Sequence, residues 1–212
     1  MSIKPKSNGQ IEGIKKFFFS ISEMENQGNY ILYSKPMFKK KFNIDALFFE
    51  DYCADLPVKY TARGLYYQKA PFEQALLISC RSGSVAVYLV DVRKDSPTYL
   101  KYNRYLLNAA KDGRDYLFIP RGVAYGFVSL KDNTELDIKS DNYSNPECTE
   151  VFNLADPYFS MPMLDPETDL NNQPLSKLIS NNTLRISVKD KAAQWVHEYE
   201  DSELYEGNEI LV

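Results

Sequence analysis

Residues 76–92, LLISCRSGSVAVYLVDV, decide the fold class. LLISC (76–80) and VAVYLVDV (85–92) are rich in large apolar and β-branched side chains, and the RSGS between them leaves room only for a tight connection. Val85 to Val92 is apolar on both faces, which predicts a strand covered on both sides. Downstream, YLFIP and VAYGFVSL form another pair of strands around a turn at Pro120–Gly122, and TELDIKSDNY at 134–143 is a further short strand. Many short strands at regular spacing predict a mainly β protein, a barrel or double-sheet jelly roll. Upstream, residues 29–50 carry strand-like aromatics around the run Lys39-Lys40-Lys41, which reads as a solvated edge or turn. Residues 157–183, rich in Pro, Asn and Asp, read as loop. Asp190 reads as the cap of a short helix through AAQWVHEY, followed by an acidic, peripheral tail.

The bulk composition narrows the function. A chain of 212 residues suits one large domain, and 44% hydrophobic residues suffice for a sizeable core. A net charge of −4 argues against nucleic-acid binding, which needs clustered basic surface. Cys53, Cys80 and Cys148 are odd in number and form no CxxC pair, which implies a reduced, cytoplasmic setting. Cys53 and Cys80 read as core thiols. The opening MSIKPKSNGQ lacks an apolar signal core, and Phe17-Phe18-Phe19 is far short of the roughly 20 apolar residues that cross a bilayer, so no membrane partner is expected.

The one histidine, His197, excludes a histidine-rich metal centre, and the cysteine spacing excludes a zinc site. No metal and no cofactor are expected. Histidine is the usual acid/base near neutral pH, so any proton transfer here uses His197 or no histidine at all. His197 itself reads as a surface or packing residue.

The segment from Ala62, ARGLYYQKAPFEQALLISCRSGSVAVYLVDVRKDSPT, resembles the dTDP-4-dehydrorhamnose 3,5-epimerases, whose hallmark runs R-G-L-H-x-Q, Q-x-K-L-V, a glycine turn, V-D-x-R and S-P-T. IPRGVAYGF, TELDIKSDNYSNP and ISVKD (186–190) continue the resemblance in order. It covers about residues 46 to 156 and the final block; the first 45 residues match weakly and lack the family's D-x-R-G motif. The resemblance implies a cupin double-stranded β-helix, or jelly-roll barrel, with a few short helices at the C-terminus. It divides the chain into N-terminal strands and extension (1–45), the barrel (46–190) and a C-terminal helix with acidic tail (191–212). It also implies a homodimer, and a nucleotide-linked 4-keto sugar as partner.

In that family a His–Asp pair removes a proton beside the ketone, a lysine stabilises the enolate and a tyrosine returns a proton from the opposite face. Here the base position is Tyr66, the lysine position Leu76, the tyrosine position Ile138 and a second histidine position Tyr125. Asp190, the base's carboxylate partner, is kept, as are Arg63, which in the family contacts the phosphates, and Gln68, Gln74, Asp91 and Arg93. A phenol titrates near ~10 against ~6.5 for imidazole, so Tyr66 cannot simply replace the base. The resemblance thus leaves Asp190, Tyr66 and Tyr125 as catalytic candidates and Arg63, Gln68 and Gln74 as substrate-binding candidates. Asp190 is either a lone base or an acceptor for the Tyr66 hydroxyl; Arg63 either binds phosphate or forms a structural salt bridge, with Asp91 as one partner. Tyr66 and Tyr125 either line a pocket or fill the barrel mouth. The leading function is an epimerase-like enzyme of altered chemistry in deoxysugar metabolism for cell-surface polysaccharide; the alternatives are a non-catalytic sugar-nucleotide-binding, regulatory or assembly protein, and a cupin that binds another carbohydrate or small ligand.

Overall fold

The computed structural model describes residues 10–196. His197 and the acidic tail lie outside them. The strands are β1 (Lys15–Ser20), β2 (Glu25–Asn26), β3 (Asn29–Tyr30), β4 (Glu50–Leu56), β5 (Thr61–Gln68), β6 (Leu76–Ser82), β7 (Ser84–Asp91), β8 (Tyr102–Ala110), β9 (Gly113–Ile119), β10 (Val123–Ser129), β11 (Thr134–Ser140), β12 (Thr149–Val151) and β13 (Arg185–Ile186). The helices are α1 (Ile21–Met24), α2 (Lys35–Phe42), α3 (Leu175–Ser180) and α4 (Val188–Lys191).

Eight strands pair as nested antiparallel partners: β4 with β11, β5 with β10, β6 with β9 and β7 with β8. That nesting is a long hairpin rolled into two sheets, the cupin jelly roll. One sheet runs β4-β11-β6-β9, with β1 also on β9; the other runs β5-β10-β7-β8, with β12 and β13 on β5. A short β8–β9 ladder joins them. The tight corner at Gly83 carries the chain from one sheet into the other. Its φ is +77°, and a Cβ there would lie 2.3 Å from Thr134 Oγ1, so only glycine fits.

The two-faced character of β7 has two sources. Val85, Val87 and Leu89 point into the barrel with Leu76, Ile78, Leu117, Leu136 and Ile138. Ala86, Tyr88 and Val90 point outward and are covered by the chain after the barrel, including Phe152, Phe159, Met163, Leu178 and Leu184. Tyr88 is fully buried there, and its hydroxyl accepts the Leu164 N–H at 3.0 Å. The opposite sheet is covered by the N-terminal segment, where Phe19, Met24, Phe38 and Ile44 meet Leu77 and Tyr116.

Several local expectations are corrected. The basic run lies in helix α2, not in an edge or turn. Phe38 and Phe42, four residues apart, fall on one helix face and pack on Phe17, whose ring is 3.8 Å from that of Phe42. The lysines then occupy the last turn, where they favour the helix dipole, and Asn43 ends the helix at φ +54°. Short helices therefore stand at the N-terminal side as well as the C-terminal one. The supposed loop 157–183 contains α3, because Leu175, Leu178 and Ile179 supply a helical apolar stripe for the outer face of the second sheet. The helix around Asp190 is shifted: Ser187 Oγ accepts the Asp190 N–H at 3.0 Å, so Ser187 is the cap and α4 ends at Lys191. Beyond it, Gln194 forms a bridge with Phe152 where the helix was expected, and residues 197–199 of that expected helix lie outside the described residues. Cys53 is exposed on β4 and is no core thiol, whereas Cys80 is buried.

Asp91 does not pair with Arg63. It is fully buried at the end of β7 and takes Arg93 Nε at 2.9 Å, Arg93 Nη2 at 2.8 Å and Ser96 Oγ at 2.6 Å. Burial raises its pKa, but these hydrogen bonds outweigh it and hold the carboxyl below its ordinary value. A depressed carboxylate stabilises the fold above the unfolded pKa of about 3.9 and loses that contribution as pH falls through the folded value. Asp91→Asn should therefore lower the urea midpoint at pH 7 and flatten the acid limb of stability against pH; an unchanged acid limb would contradict this assignment.

Candidate functional site at the barrel mouth

A β-bulge creates the site. On β10, Tyr125 and Phe127 are two residues apart; opposite them on β5 stand Tyr66 and Arg63, three apart. The extra residue lets Arg63 and Tyr66 share one face of β5, where a regular strand would send them to opposite faces. Gly64 and Gly126 make the bulge possible. A Cβ on Gly64, at φ +90°, would lie 2.8 Å from the Tyr125 carbonyl oxygen, and one on Gly126 would lie 2.7 Å from that of Arg63.

The C-terminal segment completes the site. Strand β13 pairs in parallel with β5, placing Arg185 opposite Thr61 and Ile186 opposite Ala62. Helix α4 follows at once and brings Asp190 to Tyr66, 124 positions earlier in the chain. The Tyr66 hydroxyl donates to Asp190 Oδ2 at 3.3 Å. Asn153 ties this segment down: its side-chain amide donates to the Lys191 carbonyl at 2.7 Å, and its N–H donates to the Gln194 carbonyl at 2.9 Å.

The resulting cleft, about 490 Å³, is lined by Thr61, Arg63, Tyr66, Arg185, Lys189 and Asp190, among others. Arg63 donates one Nη2 bond to the Asp55 carbonyl at 3.0 Å. With the buried Asp190 engaged by Tyr66, three cationic side chains face the opening, an arrangement suited to an anion such as a phosphate. Sequence reasoning missed Arg185 and Lys189. Both flank or lie within the ISVKD block, but only the β13–β5 pairing places them beside Arg63.

The other candidates occupy different places. Tyr125 packs edge-on against Tyr66, ring centroids 5.9 Å apart, and faces the barrel interior. Gln68 holds loops together: its amide donates to the Phe72 carbonyl at 3.1 Å, and its oxygen accepts the Asn145 N–H at 2.7 Å. Gln74 donates to the Asn142 carbonyl at 3.0 Å. Neither glutamine lines the cleft.

The electrostatics oppose base chemistry at Tyr66. Burial, then the Asp190 charge and hydrogen bond, push its pKa up to about 12. Tyr125 is raised well above its ordinary value, chiefly by burial and then by Tyr52. Leu76 and Ile138 are each 1% exposed, packed among Ile78, Leu136 and Val87.

With fold and geometry in hand, the class is clear: a cupin jelly roll with the architecture of nucleotide-sugar epimerases. The family model for dTDP-4-dehydrorhamnose 3,5-epimerase matches residues 17–198, and the chain belongs to that family. The Escherichia coli K12 dTDP-4-dehydrorhamnose 3,5-epimerase is 38% identical over 89 residues, 42% of this chain and 47% of that protein. The match thus spans about half the length of the curated relatives. The crystal structure of the Elizabethkingia anophelis dTDP-4-dehydrorhamnose 3,5-epimerase superposes with a TM-score of 0.70 at 25% identity, covering 91% of this chain and 96% of that one. The Legionella pneumophila dTDP-6-deoxy-D-glucose-3,5-epimerase, in complex with dTDP-4-keto-L-rhamnose, shares the fold at a TM-score of 0.71 and 23% identity, covering 95% and 97%.

Two outcomes follow for the site. A phenol with a raised folded pKa keeps its stabilising contribution below the unfolded value of about 10 and loses it as pH rises towards the folded value. Tyr66 should therefore remain un-ionised at pH 11 in a difference-absorbance titration of wild type against Tyr66→Phe, and an ionisation near pH 10 would refute its coupling to Asp190. Leu76→Lys, which installs the family's own residue, should destabilise the fold by about 3 kcal/mol or more in urea denaturation, because its ammonium is buried without a partner.

Proposed function

We propose that this chain is a nucleotide-sugar-binding member of the dTDP-4-dehydrorhamnose 3,5-epimerase family that acts in deoxysugar metabolism for cell-surface polysaccharide and does not carry out 3,5-epimerisation. One observation carries the reading: Leu76 and Ile138, the positions of the family's enolate-stabilising lysine and opposing acid, lie fully packed in an aliphatic core. Epimerisation needs a base on one side of the carbon, an acid on the other and charge stabilisation for the enolate. Each positioned acid or base contributes roughly 10²–10⁴-fold in rate, so losing several together removes the reaction. What persists is the binding side, Arg63 with Arg185 and Lys189 around an open cleft. A cytoplasmic homodimer is part of the same proposal, and the family resemblance supports it.

The retained Asp190 carboxylate favours a second reading, an isomerase acting at one centre with Asp190 as its proton acceptor and Tyr66 and Tyr125 as phenolic partners.

Incubation with a dTDP-4-keto-6-deoxyhexose in D₂O decides between them. No deuterium entering C3 or C5 supports the binding reading, exchange at one carbon supports the second, and exchange at both ends the proposal. In parallel, dTDP should raise the melting temperature of wild type, and Arg63→Ala should weaken dTDP binding about tenfold or more, the scale of a charge-assisted phosphate contact. Unaltered affinity would remove Arg63 from the site.

A further inference from the structure

We infer that Tyr52 and Tyr125 bolt the barrel mouth shut, so that a nucleotide-sugar is held through its diphosphate in the outer cleft while its sugar ring is excluded from the barrel. The inference rests on the binding reading above and assigns that site its specificity.

Tyr52 stands on β4, directly opposite Ile138 on β11. Tyr125 stands on β10, in the other sheet. Both side chains pack against the interior cluster, and each phenol lies within electrostatic reach of the other. The two side chains therefore approach the same interior from opposite sheets. Tyr66 lies against the Tyr125 ring and is itself held by Asp190. The three phenols thus form a continuous layer between the cleft and the barrel interior.

Beneath that layer the interior is both full and chemically unsuited to a sugar. Leu76, Ile78, Val87, Leu89, Leu136 and Ile138 are all at most 1% exposed. A chamber able to admit a hexose would leave some of these side chains accessible even to water. A hexose is ringed by hydroxyls, and burying each against aliphatic carbon with no hydrogen-bond partner is unfavourable. Above the layer the partners are reversed, with Arg63, Arg185 and Lys189 beside the opening. Diphosphate recognition and sugar exclusion thus fall on opposite sides of the tyrosines.

Two measurements test this. By calorimetry, wild type should bind dTDP and dTDP-glucose with affinities within about twofold of each other. A tenfold preference for dTDP-glucose that disappears in Tyr52→Ala would overturn the inference. If neither ligand binds, the binding reading fails, and the bolt is judged by the second measurement alone. Tyr125→Ala should leave a phenol-shaped vacancy, and apolar vacancies of this kind accept matching small molecules. The variant should melt below wild type and be partly rescued by millimolar p-cresol, which leaves wild type unmoved. Tyr52→Ala, treated in the same way, serves where Tyr125→Ala does not fold. Absence of rescue in the variant that folds would show that the phenols do not close the mouth.

Discussion

The burial of both faces of β7 is the constraint on which the rest of the structure depends. One face is satisfied by the barrel interior. The other would expose Ala86, Tyr88 and Val90 to water unless further chain covered it. The segment from Phe152 to Leu184 does so, at a gain of roughly 25 cal/mol for each Å² of apolar surface removed from water. Its route over the sheet ends at the free side of β5, where β13 pairs and α4 begins. The position of Asp190 beside Tyr66 is thus a consequence of covering a hydrophobic sheet face, and the candidate site is assembled by the same packing that stabilises the domain.

The second shaping feature is the bulge at Gly64–Leu65. It sets Arg63 and Tyr66 on one face and joins a guanidinium to the carboxylate–phenol pair. A barrel mouth of this design can hold proton-transfer groups only if the interior below it is polar enough to keep them charged. Here the interior has gone the other way. Aliphatic side chains fill the space, burial raises every phenol that borders it, and the carboxylate is engaged by a hydroxyl that does not readily give up its proton. Packing and acid–base chemistry compete for the same volume, and aliphatic side chains fill it here.

Much of the architecture was legible from residue patterns. The apolar runs and turn chemistry of 76–92 and 116–130 marked the strands and their corners, and the ordered blocks from Arg63 to Asp190 marked the family. The misreadings share one cause. Segments 29–50 and 157–183 are amphipathic only in relation to sheet faces built elsewhere in the chain. Phe38 with Phe42, and Leu175 with Leu178, have a visible helical spacing, but the polar and turn-forming residues around them hide it until a partner surface is known. Cys53 likewise sits on β4 where the strand turns outward, a direction set by register with β11.

The sequence by itself determined that strands would form, that no histidine base stands at position 66, and that leucine and isoleucine occupy positions 76 and 138. These are matters of residue identity and local periodicity. Only the tertiary structure decided that those aliphatic residues fill the barrel, that Arg185 and Lys189 join Arg63, that Gln68 and Gln74 secure loops, and that Tyr52 and Tyr125 pack on one interior cluster from opposite sheets. Each depends on strand register and on which face a side chain takes. A bulge of one residue or a parallel pairing of two is enough to change that, and neither is written in any single stretch of the chain.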